Sequence, residues 1–155
     1  MDLKNVCDGG DIMSYSLAFS QAVKITVYIY IKTKLGNYNY LSTKAISQYL
    51  GIPGPTVSKV LSALINAGLI GVKEGARGGM LLNRTPEDIT LYDIFEAVEN
   101  KRPLFKNDNN HLLGDEKADA IIEKIDATLI NAEIAMKEEL RKTTLGEIIN
   151  IYLDR

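Results

Sequence analysis

Cysteine is almost missing from this chain. Cys7 stands alone among 155 residues, which excludes an intrachain disulfide and any metal cage built from cysteines, so packing has to hold the fold together. Histidine is as scarce, with only His111. Neither residue falls in an H-E-x-x-H, C-x-x-C or phosphate-loop pattern, and the acids lie at ordinary helix-surface spacing, so an enzyme is not expected. Long apolar runs are missing too: no stretch reaches the roughly eighteen uninterrupted residues of a membrane span. The opening "MDLKNVCDGG" carries acids where a secretory signal has its apolar region. A cytoplasmic protein with no membrane partner is expected.

What is present suffices for one domain, or for a small domain with an added oligomerisation element, since 46% of the residues are hydrophobic. The net charge of −2 hides a sharp division. Residues 41–84 hold five bases against Glu74 alone, whereas residues 85–155 hold nine bases against sixteen acids. A basic middle beside an acidic tail fits a segment that meets a polyanion with salt-sensitive affinity, and it equally fits solvated faces of unequal sign. Charge by itself does not decide.

In "SLAFSQAVKITVYIYIKTK" (16–34), Phe19, Val23, Val27 and Ile31 recur at helical spacing while Ile25, Val27, Ile29 and Ile31 alternate as in a strand. The length of the run favours a mostly buried helix, closed by Gly36. Ser42 or Thr43 then caps a short helix with Ala45, Ile46, Tyr49 and Leu50 as its apolar face, and Gly51 stops it. After "GIPGP", Val57, Val60, Leu61, Leu64 and Ile65 form one helical stripe ending at Gly68. The pattern is helix, tight turn, helix. The polar side of the second helix offers Thr56, Ser58, Lys59, Ser62 and Asn66 with no acid among them, which suits a helix lying in a DNA groove.

"GVKEGARGGMLLNR" (71–84) has the glycines of a phosphate cradle, but they lead into Met80, Leu81 and Leu82 and not into a lysine and hydroxyl. Two short apolar runs flank "EGAR", so a β-hairpin is predicted, with glycines supplying positive φ at the turn. A hairpin directly after a helix-turn-helix is the wing of a winged-helix domain, and Lys73, Arg77 and Arg84 carry its charge.

Thr90 caps a further helix, with Asp93 three residues on and Leu91, Ile94, Phe95 and Val98 on one face. Residues 101–117 are Asn-rich and read as a loop. From there a long helix repeats Ala118, Ile122, Ile125, Leu129, Ala132 and Met136 at alternating steps of four and three, a coiled-coil seam that calls for a partner helix. A second copy of the chain is the simplest partner, and an intrachain helical hairpin is the alternative. Ile121, Ile130 and Ile134 fall outside the seam and suggest packing on a globular domain, its own or a partner's. Thr144 and Glu147 form a capping box for a last short helix. The fold class expected is mainly α with a small β-hairpin wing: a winged helix-turn-helix domain (13–100), the loop (101–117), and a long dimerisation helix with a short C-terminal helix (118–155).

This order of parts resembles the Rrf2 family of bacterial winged-helix transcription regulators, which includes repressors of iron–sulfur-cluster biogenesis, of nitric oxide responses and of cysteine metabolism. The resemblance runs from Met13 onward and rests on "LSTKAISQYLGIP", "KVLSALINAGLI", "GARGGMLL" and "TPEDITLYDIFEAVE", in that order and spacing. It implies a homodimer joined by the long helix through Ile122, Ile125, Leu129, Ala132 and Met136. It also implies a double-stranded, pseudo-palindromic operator met by a recognition helix and a wing from each copy. Residues 1–12, with Cys7, lie before the family's usual start and read as an extension. Many members hold an iron–sulfur cluster on three cysteines in the loop before the long helix; residues 101–117 contain none, so no cofactor is expected. Glu74 replaces an arginine frequent just before the first wing glycine, and Ser20 and Gln21 replace a basic or aromatic pair on the first helix.

The leading expectation is therefore a homodimeric, cluster-free DNA-binding regulator, a repressor. Lys44 would hold backbone phosphate. Thr56, Ser58, Lys59 and Ser62 would face the base edges, Pro55 would also contact DNA, and Lys73 and Arg77 would serve the wing. The alternative is a winged-helix module for protein–protein contact, with the acidic tail as docking surface. A small-molecule or protein effector is compatible with either, and the sequence does not name one.

Overall fold

The computed structural model describes residues 17–36, 40–75, 78–99, 104–105 and 116–154. Arg77, Cys7, His111, the 1–12 extension and nearly all of the 101–117 loop lie outside the described residues, as does the side chain of Ala118.

Helix α1 (Leu17–Lys34) is continuous, so burial overrides the strand preference of its β-branched residues. Its fully buried residues are Ala22, Ile25, Thr26 and Ile29, one face at helical spacing. Phe19, Val23 and Val27, predicted to lead that face, lie on its flank, half-buried against the core. Thr26 is buried without penalty because its hydroxyl donates to the Ala22 carbonyl at 2.7 Å.

Helix α2 (Thr43–Leu50) begins at Ser42, whose hydroxyl accepts from the Ala45 N–H at 3.2 Å, and ends at Gly51 in the left-handed region, φ +65°. Only Ile46 of its predicted apolar face is buried. Tyr49 is 64% exposed and lies stacked on Tyr28 of α1, ring centroids 4.3 Å apart, with Lys32 Nζ 5.0 Å from the Tyr49 centroid. Two tyrosines thus bury one face of each ring against the other while their edges stay in water. Helix α3 (Gly54–Asn66) buries Val57, Val60, Leu61 and Leu64, as their spacing requires.

Strands β1 (Ile70–Lys73) and β2 (Gly79–Leu82) pair antiparallel, Ile70 opposite Leu82 and Lys73 opposite Gly79. Leu41 adds a bridge on the other side of β2: its N–H donates to the Met80 carbonyl at 3.2 Å, and the Met80 N–H donates back to Leu41 at 2.9 Å. That pairing explains Gly79, and the tight turn itself explains Gly78. A Cβ on Gly79 (φ +153°) would stand 2.7 Å from the Leu41 carbonyl oxygen, and one on Gly78 would overlap the Lys73 carbonyl.

A 3-10 turn (Pro86–Asp88) leads to α4 (Leu91–Glu99), followed by α5 (Glu116–Lys142) and α6 (Leu145–Leu153). Thr90 and Asp93 box the start of α4, the Thr90 N–H donating to Asp93 at 2.8 Å and the Asp93 N–H to Thr90 Oγ1 at 3.1 Å. Thr144 and Glu147 box the start of α6 in the same way, at 3.2 Å each. The two caps are joined. The Leu145 N–H donates to Ile89 at 2.7 Å and the Leu91 N–H to Thr143 at 3.0 Å, with Thr90 bridging Thr144. Through this junction Leu145 and Ile149 of α6 enter the same core as Ile25, Ile29, Leu64, Ile89 and Ile94.

Helix α5 packs on α4, and within the single chain the predicted seam divides between the inner and outer sides of the helix. Ile122, Leu129 and Met136 are half-buried within the single chain, whereas Ile125 and Ala132 are exposed. Ile121, Ile130 and Ile134 are exposed as well, so they do not pack on the chain's own domain. The helix presents the line of the seam obliquely, so among its described side chains Ile122, Leu129 and Met136 turn inward and Ile125 and Ala132 outward. Near the C-terminal end of α5, Glu133 accepts from Lys137 Nζ at 2.6 Å and from the Leu104 N–H at 3.1 Å. The Arg141 guanidinium lies 3.7 Å over the ring of Tyr92, whose hydroxyl donates to Glu96 at 2.8 Å.

Two outcomes follow from this architecture. Gly79→Ala should destabilise the protein by about 2 kcal/mol in a urea titration, through the clash with Leu41; an unchanged midpoint would show that the bridge yields. The bond from Lys137 holds the Glu133 carboxyl below its usual range, with the Leu104 N–H acting in the same direction. A depressed carboxyl stabilises the fold above its unfolded value of about 4.3 and loses that contribution as pH falls through its folded value. Glu133→Gln should therefore flatten the fall in unfolding free energy between about pH 5 and about pH 3, by no more than about 1 kcal/mol. Equal declines in both proteins would remove Glu133 from the brace between α5 and residue 104.

Candidate nucleic-acid interface

The outer face of α3 is the product of its inner one. With Val57, Val60, Leu61 and Leu64 buried, Pro55, Ser58, Lys59, Ser62 and Asn66 are left exposed along one stripe, and Thr56 lies half-buried beside it. No carboxylate occurs on the helix. Pro55 sits in the first turn, where a missing N–H costs nothing, and its fixed φ helps start the helix. The approach from α2 is short and fixed: Gly51 closes the helix, Ile52 is buried, and the Ser47 hydroxyl donates to the Ile52 carbonyl at 2.7 Å. The Ser62 hydroxyl donates to the Ser58 carbonyl at 2.9 Å, which leaves its lone pairs facing outward as acceptors.

Lys44 is exposed in the first turn of α2, beside the N–H groups a helix start offers to an anion. On the wing, Lys73 is exposed at the end of β1 and its Nζ stands 5.2 Å from the ring centroid of Tyr40. Tyr40 is the residue before the Leu41 bridge, so the strand that clamps the hairpin also carries a ring against its lysine. Sequence reasoning missed Tyr40, because nothing in its local pattern reveals a neighbour across a sheet. Glu74 is exposed next to Lys73. Arg77, predicted beside them, lies outside the described residues. The outer stripe of α3, Lys44 and Lys73 thus form an array of donors, acceptors and positive charge borne on three successive elements, suited to phosphate and base edges.

A second exposed set is apolar. Ile121, Ile125, Ile130 and Ile134 on α5, and Ile151, Tyr152 and Leu153 on α6, all face outward. No helix among the described residues is long and apolar enough to cross a membrane. Among the described residues no three histidines, cysteines or acids gather where they could hold a metal ion.

Residues 15–151 match the model of the Rrf2 family, described as iron-dependent transcriptional regulators. An HTH-type transcriptional regulator of Lactococcus lactis, YffB, is 25% identical over 138 residues, which cover 88% of this chain and 86% of that one. YwgB of Bacillus subtilis, named in the same way, is 31% identical over 94 residues, 61% of this chain but only 58% of the relative's length. Among solved structures, CymR, the global cysteine regulator of Bacillus subtilis, superposes with a TM-score of 0.65 at 26% identity, covering 90% of this chain and 98% of that one. The iron of the family's description does not fit the donors here: a cluster takes about four ligands, mostly thiolates, and this chain has one cysteine and one histidine. By its matched length, its helix-turn-helix and its wing, the chain belongs to the Rrf2 family of winged-helix transcription regulators, not to a family of enzymes.

Proposed function

We propose that the chain is a homodimeric, sequence-specific DNA-binding regulator of the cytoplasm that works as a repressor and without an iron–sulfur cluster. The observation that carries DNA binding is the acid-free outer stripe of α3, exposed from Pro55 to Asn66. Thr56, Ser58, Lys59 and Ser62 meet base edges, Lys44 holds backbone phosphate, and Lys73 with Arg77 brings the wing to the adjoining groove. Absence of a cluster is supported by the lack of cysteine after Cys7. Dimerisation is supported by the outward isoleucines of α5. Ile125 and Ala132, together with Ile121, form the contact, and Ile122, Leu129 and Met136 line its inner edge. A dimer seated on two half-sites about one helical turn apart, or a multiple of it, occludes that stretch of DNA, which is repression in its simplest form.

Genomic fragments selected by the purified protein supply the operator for a gel-shift titration. Lys59→Ala and Arg77→Ala should each weaken binding by about tenfold at matched salt, and Glu74→Arg should tighten it and steepen its salt dependence by about one unit of slope. Parent-like affinity in both alanine variants would end the assignment. In sedimentation equilibrium the parent should be a dimer and Ile125→Glu with Ala132→Glu a folded monomer; a monomeric parent would end the dimer.

A further inference from the structure

Lys73 is an exposed lysine met from across the sheet. It ends β1 and pairs with Gly79 of β2, while Leu41 bridges Met80 on the far side of β2. Leu41 and Met80 are buried, so by strand alternation their neighbours Tyr40 and Gly79 share the other face, and Lys73 lies on it too. Diagonal neighbours on such a face are within reach of an aromatic ring and a long side chain. Gly79 leaves the path between them open: a Cβ there would stand 2.9 Å from the Tyr40 Cβ. The Tyr40 ring comes to lie with its centroid 5.2 Å from Lys73 Nζ, and an aromatic beside a strand glycine also covers the backbone that the glycine leaves bare.

Among the described residues no carboxylate holds this lysine. Glu74 follows it just past the end of β1, and no ion pair joins the two. The difference matters for a phosphate contact. A carboxylate would neutralise the ammonium, whereas a ring attracts it from one side and leaves the N–H donors on the other side free. A lysine on its four-carbon stem gives up rotamer freedom when it grips a phosphate. One already ordered by a ring has less freedom left to lose, so more of the attraction appears as affinity.

We propose that Tyr40 is the positioning residue of the wing: its ring, reaching past Gly79, orders Lys73 so that the ammonium meets a DNA phosphate at a smaller entropic cost. This rests on the DNA-binding reading of the chain. Because Tyr40 acts through one lysine, the effects of the two residues on DNA binding are coupled and not additive. The link before α2 thereby serves both phosphate contacts. Tyr40 orders the wing lysine, and Ser42 caps the helix whose first turn carries Lys44.

The test is a double-mutant cycle on the full-length protein, read by gel shift at matched salt with an operator from the genomic selection. Tyr40→Leu should weaken binding by about threefold, the scale of one exposed cation–π contact, and should cost nothing further once Lys73→Gln is present. Tyr40→Phe keeps the ring without the hydroxyl and should bind like the parent. Without DNA, the Lys73 ε-methylene protons should be shifted upfield by the ring in the parent and in Tyr40→Phe, and should return to ordinary lysine positions in Tyr40→Leu. An equal loss in the Lys73→Gln background would mean that Tyr40 acts through the hairpin as a whole, and a Phe variant as weak as the Leu variant would mean that the hydroxyl meets DNA directly; either result, or an unshifted Lys73 in the parent, would overturn the proposal. Operator binding without coupling ends this inference alone, whereas a parent that binds no operator ends the regulator reading and this one with it.

Discussion

The apolar stripe of α3 is the constraint from which the rest follows. Val57, Val60, Leu61 and Leu64 are buried together, and each such side chain contributes about 1.5–3 kcal/mol when removed from water. Rotating the helix by a quarter turn would expose part of that stripe and bury Lys59 or Ser58 in its place, at a cost no surface contact repays. The direction in which the polar stripe points is therefore fixed before any ligand arrives. The identities along the stripe remain free to serve recognition, because none of them carries the core.

The wing is held by a different means. A two-stranded hairpin has little stability alone, and here Leu41 bridges the outer edge of β2 while Met80 fills the core beneath. Gly79 permits the close approach, and Tyr40 comes with Leu41 to lie against Lys73. The wing is thus coupled to the link between α1 and α2, so the entry to the helix-turn-helix and the hairpin after it behave as one piece.

Much of this was legible in the chain. Ser42 and Gly51, Thr90 with Asp93, and Thr144 with Glu147 mark helix ends through local chemistry, within a few residues, and the structure places caps at all of them. The two wing strands were legible from glycines bracketing short apolar runs. What sequence could not supply is which side of a stripe meets which neighbour. Tyr49 has an apolar spacing, yet a second ring on another helix holds it at the surface. In α5 a run of isoleucines satisfies several periods at once, and only the position of α4 selects Ile122, Leu129 and Met136 as the inward set.

The paired caps at Thr90 and Thr144 have a mechanical meaning. They pin the C-terminal end of α5 to the winged domain while the helix runs on for 27 residues, about 40 Å at the rise of an α-helix. Such a helix is a lever with its fulcrum at one end. A tilt of only ~10° at the caps displaces the far tip by ~7 Å, about two base-pair steps. In the proposed dimer, the distance between the two α3 helices would be set less by the surface between the copies than by the angle at a single pair of threonines.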